Sequence, residues 1–397
     1  MKRVSRANLG RSLLILALAA FFAYRYFQPP LQSTTHLVLA IIFAGLGLLS
    51  LVNILPRRWQ NITLNVGITL FFLDFVFAEI NLKEVGAALA QANYWMLVPS
   101  TLFVILHMYF RTLRWQWLLK PLGDVSFWPA FRGLVIGITG NALLPARAGE
   151  FLRAYVLGRR TGLSKSGVFA TQVVERIFDG LTVLLVLLVV IIWGVQDQIL
   201  KTAGILGGVF YVGAMVALIL FMTKRHWVDL VINKFVPEKW AKPMLGLLDG
   251  FSSGLAVLKN PRQMAMVTFW NILTWAMIPV SFWFGLKAFD FGAPIPWQAA
   301  VLMLPMMALG LTIPGAPGGV GAVQAAVKLN LDITFAGMEV SPNFAETVAA
   351  ASIVIHLSQF VPEIIPGLIS FFYEGLTPSD LSAGRSVTGA QEQQVTI

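Results

Sequence analysis

Stretches of about twenty residues almost free of charge recur along this chain, and no single residue constrains the fold as much as that recurrence does. A helix of ~20 predominantly apolar residues is what crosses the hydrocarbon core of a bilayer, and core helices of soluble domains are shorter. The runs that read as spans are 12–26, 36–55, 62–80, 95–113, 178–193, 203–222, 264–286 and 348–372. Of the 397 residues, 57% are hydrophobic and 12% charged, about half the charge of an ordinary soluble domain, which is roughly 25%. Backbone in lipid must satisfy its hydrogen bonds internally, so runs of this length are helical. The expectation is an all-α integral membrane protein with about eight transmembrane helices.

Two further apolar stretches, 130–144 and 299–313, behave differently, because each runs into a cluster of Pro and Gly. The first reads GITGNALLPARAGEFLRAYVL from Gly137, and the second ALGLTIPGAPGGVGAVQAAVKL from Ala308. Each has an apolar helix, a proline (Pro145, Pro314), a glycine-bearing turn and a resumed helix. Each is then followed by an element that starts on small residues and carries a basic side chain, Arg176 or His356. These stretches read as re-entrant or broken helical hairpins related as a pseudo-repeat, the pattern of a transporter site at a repeat interface. The alternative is that Pro and Gly are common in transmembrane helices and that short apolar matches arise by chance.

Loop charges set the orientation. Basic residues precede the first span, follow the second and fourth, precede the fifth, and cluster between the sixth and seventh. The positive-inside bias makes that side cytoplasmic, with both termini on it, in the inner membrane. The first span reads as an uncleaved anchor rather than a signal peptide, since no small-x-small site precedes a polar region. Residues 243–258 alternate at helical spacing and read as an interfacial helix. The polar tail 376–397 reads as a disordered cytoplasmic segment. The net charge of +10 suits loops on anionic lipid and is not read as nucleic-acid binding. There is no cysteine and the four histidines show no metal-ligand spacing, so neither metal nor cofactor is expected. No G-x-x-x-x-G-K-[ST] sequence suggests ATP hydrolysis.

Charge concentrates at the first break. Asn141, Arg147, Glu150 and Arg153 lie there, and Glu175, Arg176 and Asp179 enter the next span. An uncompensated charge at mid-membrane costs ~3 kcal/mol, so such residues pair or line a polar pathway. Glu150 and Glu175 are the natural partners of Arg147 and Arg176. Arginine offers a planar fork suited to phosphate, and the helix resuming at Gly149 presents free N–H groups to the same place. Arg111, Arg114, Arg159 and Arg160 read as ordinary cytoplasmic anchors at helix ends. The second break is nearly uncharged: Pro314, Gly315, Pro317, Gly318, Gly319 and Gly321 permit close approach and positive φ. Asp74, near mid-span, requires a partner.

R-x-x-R-W at Arg111–Trp115, G-N-x-L-L-P-A-R-A-G-E-x-x-R from Gly140 to Arg153, E-R-x-x-D at Glu175–Asp179 and P-x-x-P-G-G-x-G from Pro314 to Gly321 together resemble the lysylphosphatidylglycerol synthase transmembrane family. This is the flippase-like domain of multiple peptide resistance factors and of stand-alone bacterial and archaeal proteins. The resemblance runs from about Ile62 to Phe372 and divides the chain into two N-terminal helices (1–61), a flippase-like domain (62–375) and a tail. It implies lipid handling, with Asn141, Arg147, Glu150, Arg153, Glu175, Arg176 and Asp179 as the functional core. Two positions depart from the family: Gln324 stands where Glu is frequent, and His356 where Arg is frequent.

The expected function is movement of a phospholipid or lipid-linked headgroup between leaflets, the lipid being of aminoacyl-phosphatidylglycerol, hopanoid or isoprenoid type. The expected partners are lipids with anionic headgroups and a lipid-modifying enzyme. The alternatives are a membrane enzyme acting on a lipid phosphate, with Glu150 or Asp179 as acid/base, and a non-transporting scaffold of a lipid-synthesis complex. The enzyme ranks lower because no nucleophile or metal set accompanies the carboxylates.

Overall fold

A computed structural model of the chain describes residues 6–28, 33–144, 148–194, 198–313 and 317–376. Pro145, Arg147, Pro314, Gly315 and the tail from 377 lie outside the described residues. Among the described residues there are fifteen α-helices, in the order α1 (Arg6–Phe27), α2 (Thr34–Leu51), α3 (Arg57–Phe77), α4 (Leu82–Gln91), α5 (Leu97–Leu119), α6 (Phe127–Leu143), α7 (Gly149–Thr161), α8 (Lys165–Ile192), α9 (Gln198–Thr223), α10 (Arg225–Phe235), α11 (Glu238–Leu255), α12 (Pro261–Leu286), α13 (Trp297–Thr312), α14 (Ala322–Thr334) and α15 (Phe344–Tyr373). Seven are long and apolar enough to cross a membrane: α1, α2, α3, α5, α9, α12 and α15. The eighth expected crossing, 178–193, falls in α8. That helix has 28 residues, but Glu175, Arg176 and Asp179 interrupt it just where its apolar half begins. Seven helices thus qualify on length and apolar content together, and α8 qualifies on length alone.

The helices divide between two compact units. One unit comprises the described parts of 1–94, 286–299 and 306–356. Here α1 and α2 run antiparallel, with Ser12 Oγ 2.6 Å from Ser50 Oγ at one end and Phe22 stacked on Phe43 further along. Arg25 Nε donates to Asp74 Oδ2 at 2.7 Å, and His36 Nε2 lies 2.6 Å from Asp74 Oδ1. Asp74, expected near mid-span, lies in the last turn of α3, because the helix starts at Arg57 and ends at Phe77; it still has partners on both preceding helices, as the cost of a poorly solvated charge demands. In α13 and α14, Asn330 Nδ2 donates to the Ala299 carbonyl at 2.8 Å, while Gly310 lies against Ala322 and Ala326, so the two helices run antiparallel. Between them the backbone takes positive φ at Gly318 (72°), Gly319 (76°) and Gly321 (87°), the conformation that confines this turn to glycine.

The other unit comprises 95–285, 300–305 and the described part of 357–397. Its apolar core joins Trp115, Leu118 and Leu119 of α5, Leu134 of α6, Leu157 of α7, Val168 and Val174 of α8 and Leu255 of α11. The helix expected at 243–258 is α11; it lies against the start of α8, with Gly250 at Ser166 and Gly254 at Gly167. Helices α6 and α7 are antiparallel: Gly140 meets Gly149, Gly137 meets Arg153 and Gly133 meets Leu157. A Cβ at Gly149 would lie 2.0 Å from the Gly137 carbonyl oxygen, so only glycine permits this approach.

The Arg25–Asp74 pair is the contact most exposed to single substitution in the first unit. Removing one member leaves a desolvated charge behind, at about 3–5 kcal/mol. Asp74→Asn is therefore expected to lower the thermal stability of the detergent-purified protein more than the double change Arg25→Met/Asp74→Asn, as read from unfolding midpoints.

Candidate functional site

The charges sit where three helices of the second unit meet. From α5, an i, i+3 pair presents Arg111 and Arg114 on one face. From α7, the first turn supplies Glu150 and the second supplies Arg153. From α8, Glu175, Arg176 and Asp179 stand at the end of the polar half of the helix.

Glu175 is the centre. Arg111 Nε and Nη2 donate to its Oε1 at 3.0 and 2.8 Å, Arg153 Nη2 donates to its Oε2 at 2.9 Å, and Arg114 Nη2 is 3.3 Å from Oε1. The side chains of Glu175 and Arg114 are fully buried. Asp179 forms the second node. Arg114 Nη1 and Trp275 Nε1 donate to its Oδ1 at 2.7 and 3.0 Å, and Arg176 Nη1 to its Oδ2 at 3.5 Å. Asn271 accepts from Arg114 and donates to Thr182 Oγ1. The Arg153 guanidinium also lies over the ring of Trp115, 3.6 Å from its centroid, a cation–π contact that is stronger for being desolvated.

The third node is more open. Glu150 accepts from Arg176 and, at 3.0 Å, from Asn141 Nδ2. Arg176 is 44% exposed and Glu150 20%, against 2% or less for Arg114, Arg153 and Glu175. Glu150 also occupies the first turn of α7, where a carboxylate interacts favourably with the helix dipole. The network therefore grades from a sealed interior to an accessible edge formed by Arg176, Glu150 and Asn141.

The structure brings together six of the seven expected binding residues, Asn141, Glu150, Arg153, Glu175, Arg176 and Asp179; Arg147 lies outside the described residues. Two corrections follow. Arg111 and Arg114 are not cytoplasmic anchors: both are buried and hold Glu175 and Asp179, because α5 continues to Leu119 and carries them inside the bundle. The expected partnership of Arg176 with Glu175 is also replaced. Neighbours in a helix point about 100° apart, so Glu175 turns inward to Arg111 and Arg153, while Arg176 turns out to Glu150. Arg159 and Arg160 are exposed, as anchors would be. Sequence reasoning passed over Trp115, Asn271 and Trp275. Their only signal was polar or amphipathic side chains at the depth of buried charge.

The lysylphosphatidylglycerol synthase TM region model matches residues 62–367, which includes every node of this network. A protein named glycosyltransferase AglD from Haloferax volcanii is 24% identical over 379 residues, covering 87% of this chain, and the chain spans 58% of that protein's length. A UPF0104 membrane protein of Methanocaldococcus jannaschii is 21% identical, over 77% of this chain and 91% of its own length. One of Methanothermobacter thermautotrophicus is 25% identical, over 75% and 90%. No solved structure matches the chain significantly.

Glu175→Gln removes the carboxylate that three guanidinium groups share in a sealed site and leaves Arg153 without its ion-pair partner, and the cost of breaking a buried pair is about 3–5 kcal/mol. Glu175→Gln should therefore reduce folded yield and melting temperature sharply. Adding Arg153→Met should recover part of the loss, and strict additivity in a double-mutant cycle would show that the two side chains do not act as a pair.

Proposed function

The chain belongs to the lysylphosphatidylglycerol synthase TM region family, and on that premise we propose that it is a lipid translocase that holds the phosphate of a lipid headgroup at the accessible edge of the arginine network while the acyl chains stay in the bilayer. The observation that carries this reading is the charge balance. Arg111, Arg114, Arg153 and Arg176 face Glu150, Glu175 and Asp179, so the described network holds one guanidinium more than it has carboxylates. Surplus positive charge at membrane depth is stabilised by an anion. Arg176 presents the most exposed guanidinium, and its fork suits a phosphate.

Helix lengths support a hairpin reading. At ~1.5 Å rise per residue, thirteen residues span ~20 Å, short of a ~30 Å hydrocarbon core. Both α7 and α14 have 13 residues, so each forms with its antiparallel partner a hairpin that re-enters on its own side. The series of 17, 13 and 28 residues for α6, α7 and α8 parallels 16, 13 and 30 for α13, α14 and α15, which supports a pseudo-repeat. With α8 (28 residues) crossing as the eighth span and each hairpin returning to its own side, both termini lie on the cytoplasmic side of the inner membrane.

In this reading the chain is not an enzyme. A second reading, association with lipid glycosylation as scaffold or carrier feeder, is favoured by the relative named glycosyltransferase, of which this chain spans only part. Reconstitution into liposomes with labelled phosphatidylglycerol or a polyprenyl phosphate, scoring leaflet exchange and covalent turnover together, separates the two. Arg176→Lys replaces a forked donor by a point charge. Loss of a charge-assisted contact of about 1.5–3 kcal/mol corresponds to roughly tenfold or more in exchange rate, with expression retained. Arg159→Lys should be neutral. Wild-type rates in Arg176→Lys would overturn the site.

The topology has its own test. The native chain contains no cysteine, so single cysteines introduced at positions 3 and 386 should be labelled by an impermeant maleimide from the same side of the membrane. Labelling from opposite sides would refute the assignment.

A further inference from the structure

Glu150 is held at both of its carboxylate oxygens. Oε1 takes the bonds of the accessible edge, from Arg176 Nε at 2.9 Å, from Arg176 Nη2, and from Asn141 Nδ2 at 3.0 Å. Oε2 meets Gln172 of α8, four residues before Arg176. The terminal amide of Gln172 reaches to 2.6 Å from Oε2 and to 3.0 Å from the Glu150 backbone carbonyl oxygen. A carboxylate oxygen and a carbonyl oxygen accept and do not donate, so the amide atom that faces them is Nε2, whose two hydrogens serve the two acceptors. The reverse orientation would set the amide oxygen against both. Gln172 carries no charge and precedes the E-R-x-x-D motif, so nothing in the sequence marks it.

Burial separates this donor from the others. Gln172 is 2% exposed, whereas the side chain of Arg176 is 44% exposed. Residues four apart share a face of a helix, so Gln172 and Arg176 both look to the first turn of α7, one from the interior and the other from the accessible edge. Gln172 also grips the backbone of the residue whose side chain it holds, so it fastens Glu150 to α8 whatever Arg176 does. The difference matters when Arg176 changes partner. A carboxylate abandoned by its guanidinium in a poorly solvated place is strongly destabilising, and each donor that stays with it then counts for more. In that state Oε1 loses the bonds of Arg176, and Oε2 keeps the one from Gln172.

We propose that Gln172 is a positioning residue, which keeps the Glu150 carboxylate in place from behind so that Arg176 can leave it for a headgroup phosphate, a role that rests on the lipid-phosphate reading above. Gln172 touches no ligand itself. In the empty site Glu150 neutralises Arg176 and holds its fork in place. In the occupied site Gln172 remains as the fixed partner of the carboxylate. Gln172 thus sets how readily the edge opens to an anion, and its effect is read in the affinity of the site.

The test measures binding of short-chain phosphatidylglycerol to the purified protein by calorimetry. Q172M keeps the bulk of the side chain and removes the donor. Its dissociation constant should rise about tenfold, the worth of one hydrogen bond to a charged group, with the number of binding sites unchanged. In an E150Q background, where no carboxylate has to be held, Q172M should change affinity by no more than about twofold. Q172E sets an acceptor against two acceptors. Its affinity should fall below that of the wild type at neutral pH and recover, relative to the wild type, as the pH is lowered and the introduced carboxyl gains a proton to donate. This comparison of one variant across pH does not depend on Q172M folding. Wild-type affinity in Q172M, an equal loss in the E150Q background, or a Q172E affinity that does not recover would overturn the proposal and leave the lipid-phosphate reading standing. Absence of lipid binding by the wild type would overturn both.

Discussion

A carboxylate with no exposure to solvent holds the second unit together. Glu175 accepts from Arg111 and Arg153 and lies within ion-pair distance of Arg114. Desolvating these groups costs several kcal/mol per ion, repaid only when geometry and hydrogen bonding are nearly complete. That condition fixes α5, α7 and α8 relative to one another more stringently than apolar packing does, because apolar side chains tolerate sliding and forked donors do not. The position of α6 follows in turn. It can approach α7 closely enough to cover Arg153 only because Gly137, Gly140 and Gly149 carry no side chain at the crossing.

The same constraint explains why the network is graded. A site that must exchange a charged headgroup cannot seal all of its charges, and one that must persist in a bilayer cannot hydrate all of them. Here the two demands are met on successive residues of one helix: Glu175 faces the interior and Arg176 the accessible edge. The buried nodes act as a scaffold, and in the function proposed above Arg176, Glu150 and Asn141 are the groups that exchange partners with a ligand.

Helix count and placement were nearly legible in the sequence, because hydropathy in lipid follows from backbone hydrogen bonding alone. The one expected span that does not qualify on both counts is in α8, where charged residues share a helix with an apolar run, so that composition and length give different answers. The site was legible as a set of residues and illegible as a set of pairs. Glu150 and Arg153 lie on one helix, but their partners come from α8 and α5. Only the packed structure reveals that Arg111 and Arg114, which look like the basic end of a span, turn inward. A rule that assigns arginines at span ends to lipid headgroups works from sequence position alone. It fails wherever the helix continues past the arginine, as α5 does to Leu119.

The two breaks use different chemistry, and Gln324 and His356 explain how. At the second break, Gln324 Oε1 accepts from the Gly321 N–H at 2.7 Å, Gln324 Nε2 lies 3.0 Å from His356 Nδ1, and His356 Nε2 is 3.0 Å from the Gly318 carbonyl. A turn with three left-handed glycines has little intrinsic rigidity, and these two side chains pin it through its own backbone. A glutamate and an arginine at these positions could pair with each other as ions. The amide and imidazole instead act as neutral donors and acceptors, and each has a bond to the turn. Neutral groups so engaged hold a loop without creating a field, whereas the first break keeps a surplus cation. The surplus charge among the described residues therefore belongs to the α5–α7–α8 network, and the glycine turn of the other unit is held through hydrogen bonds to its own backbone.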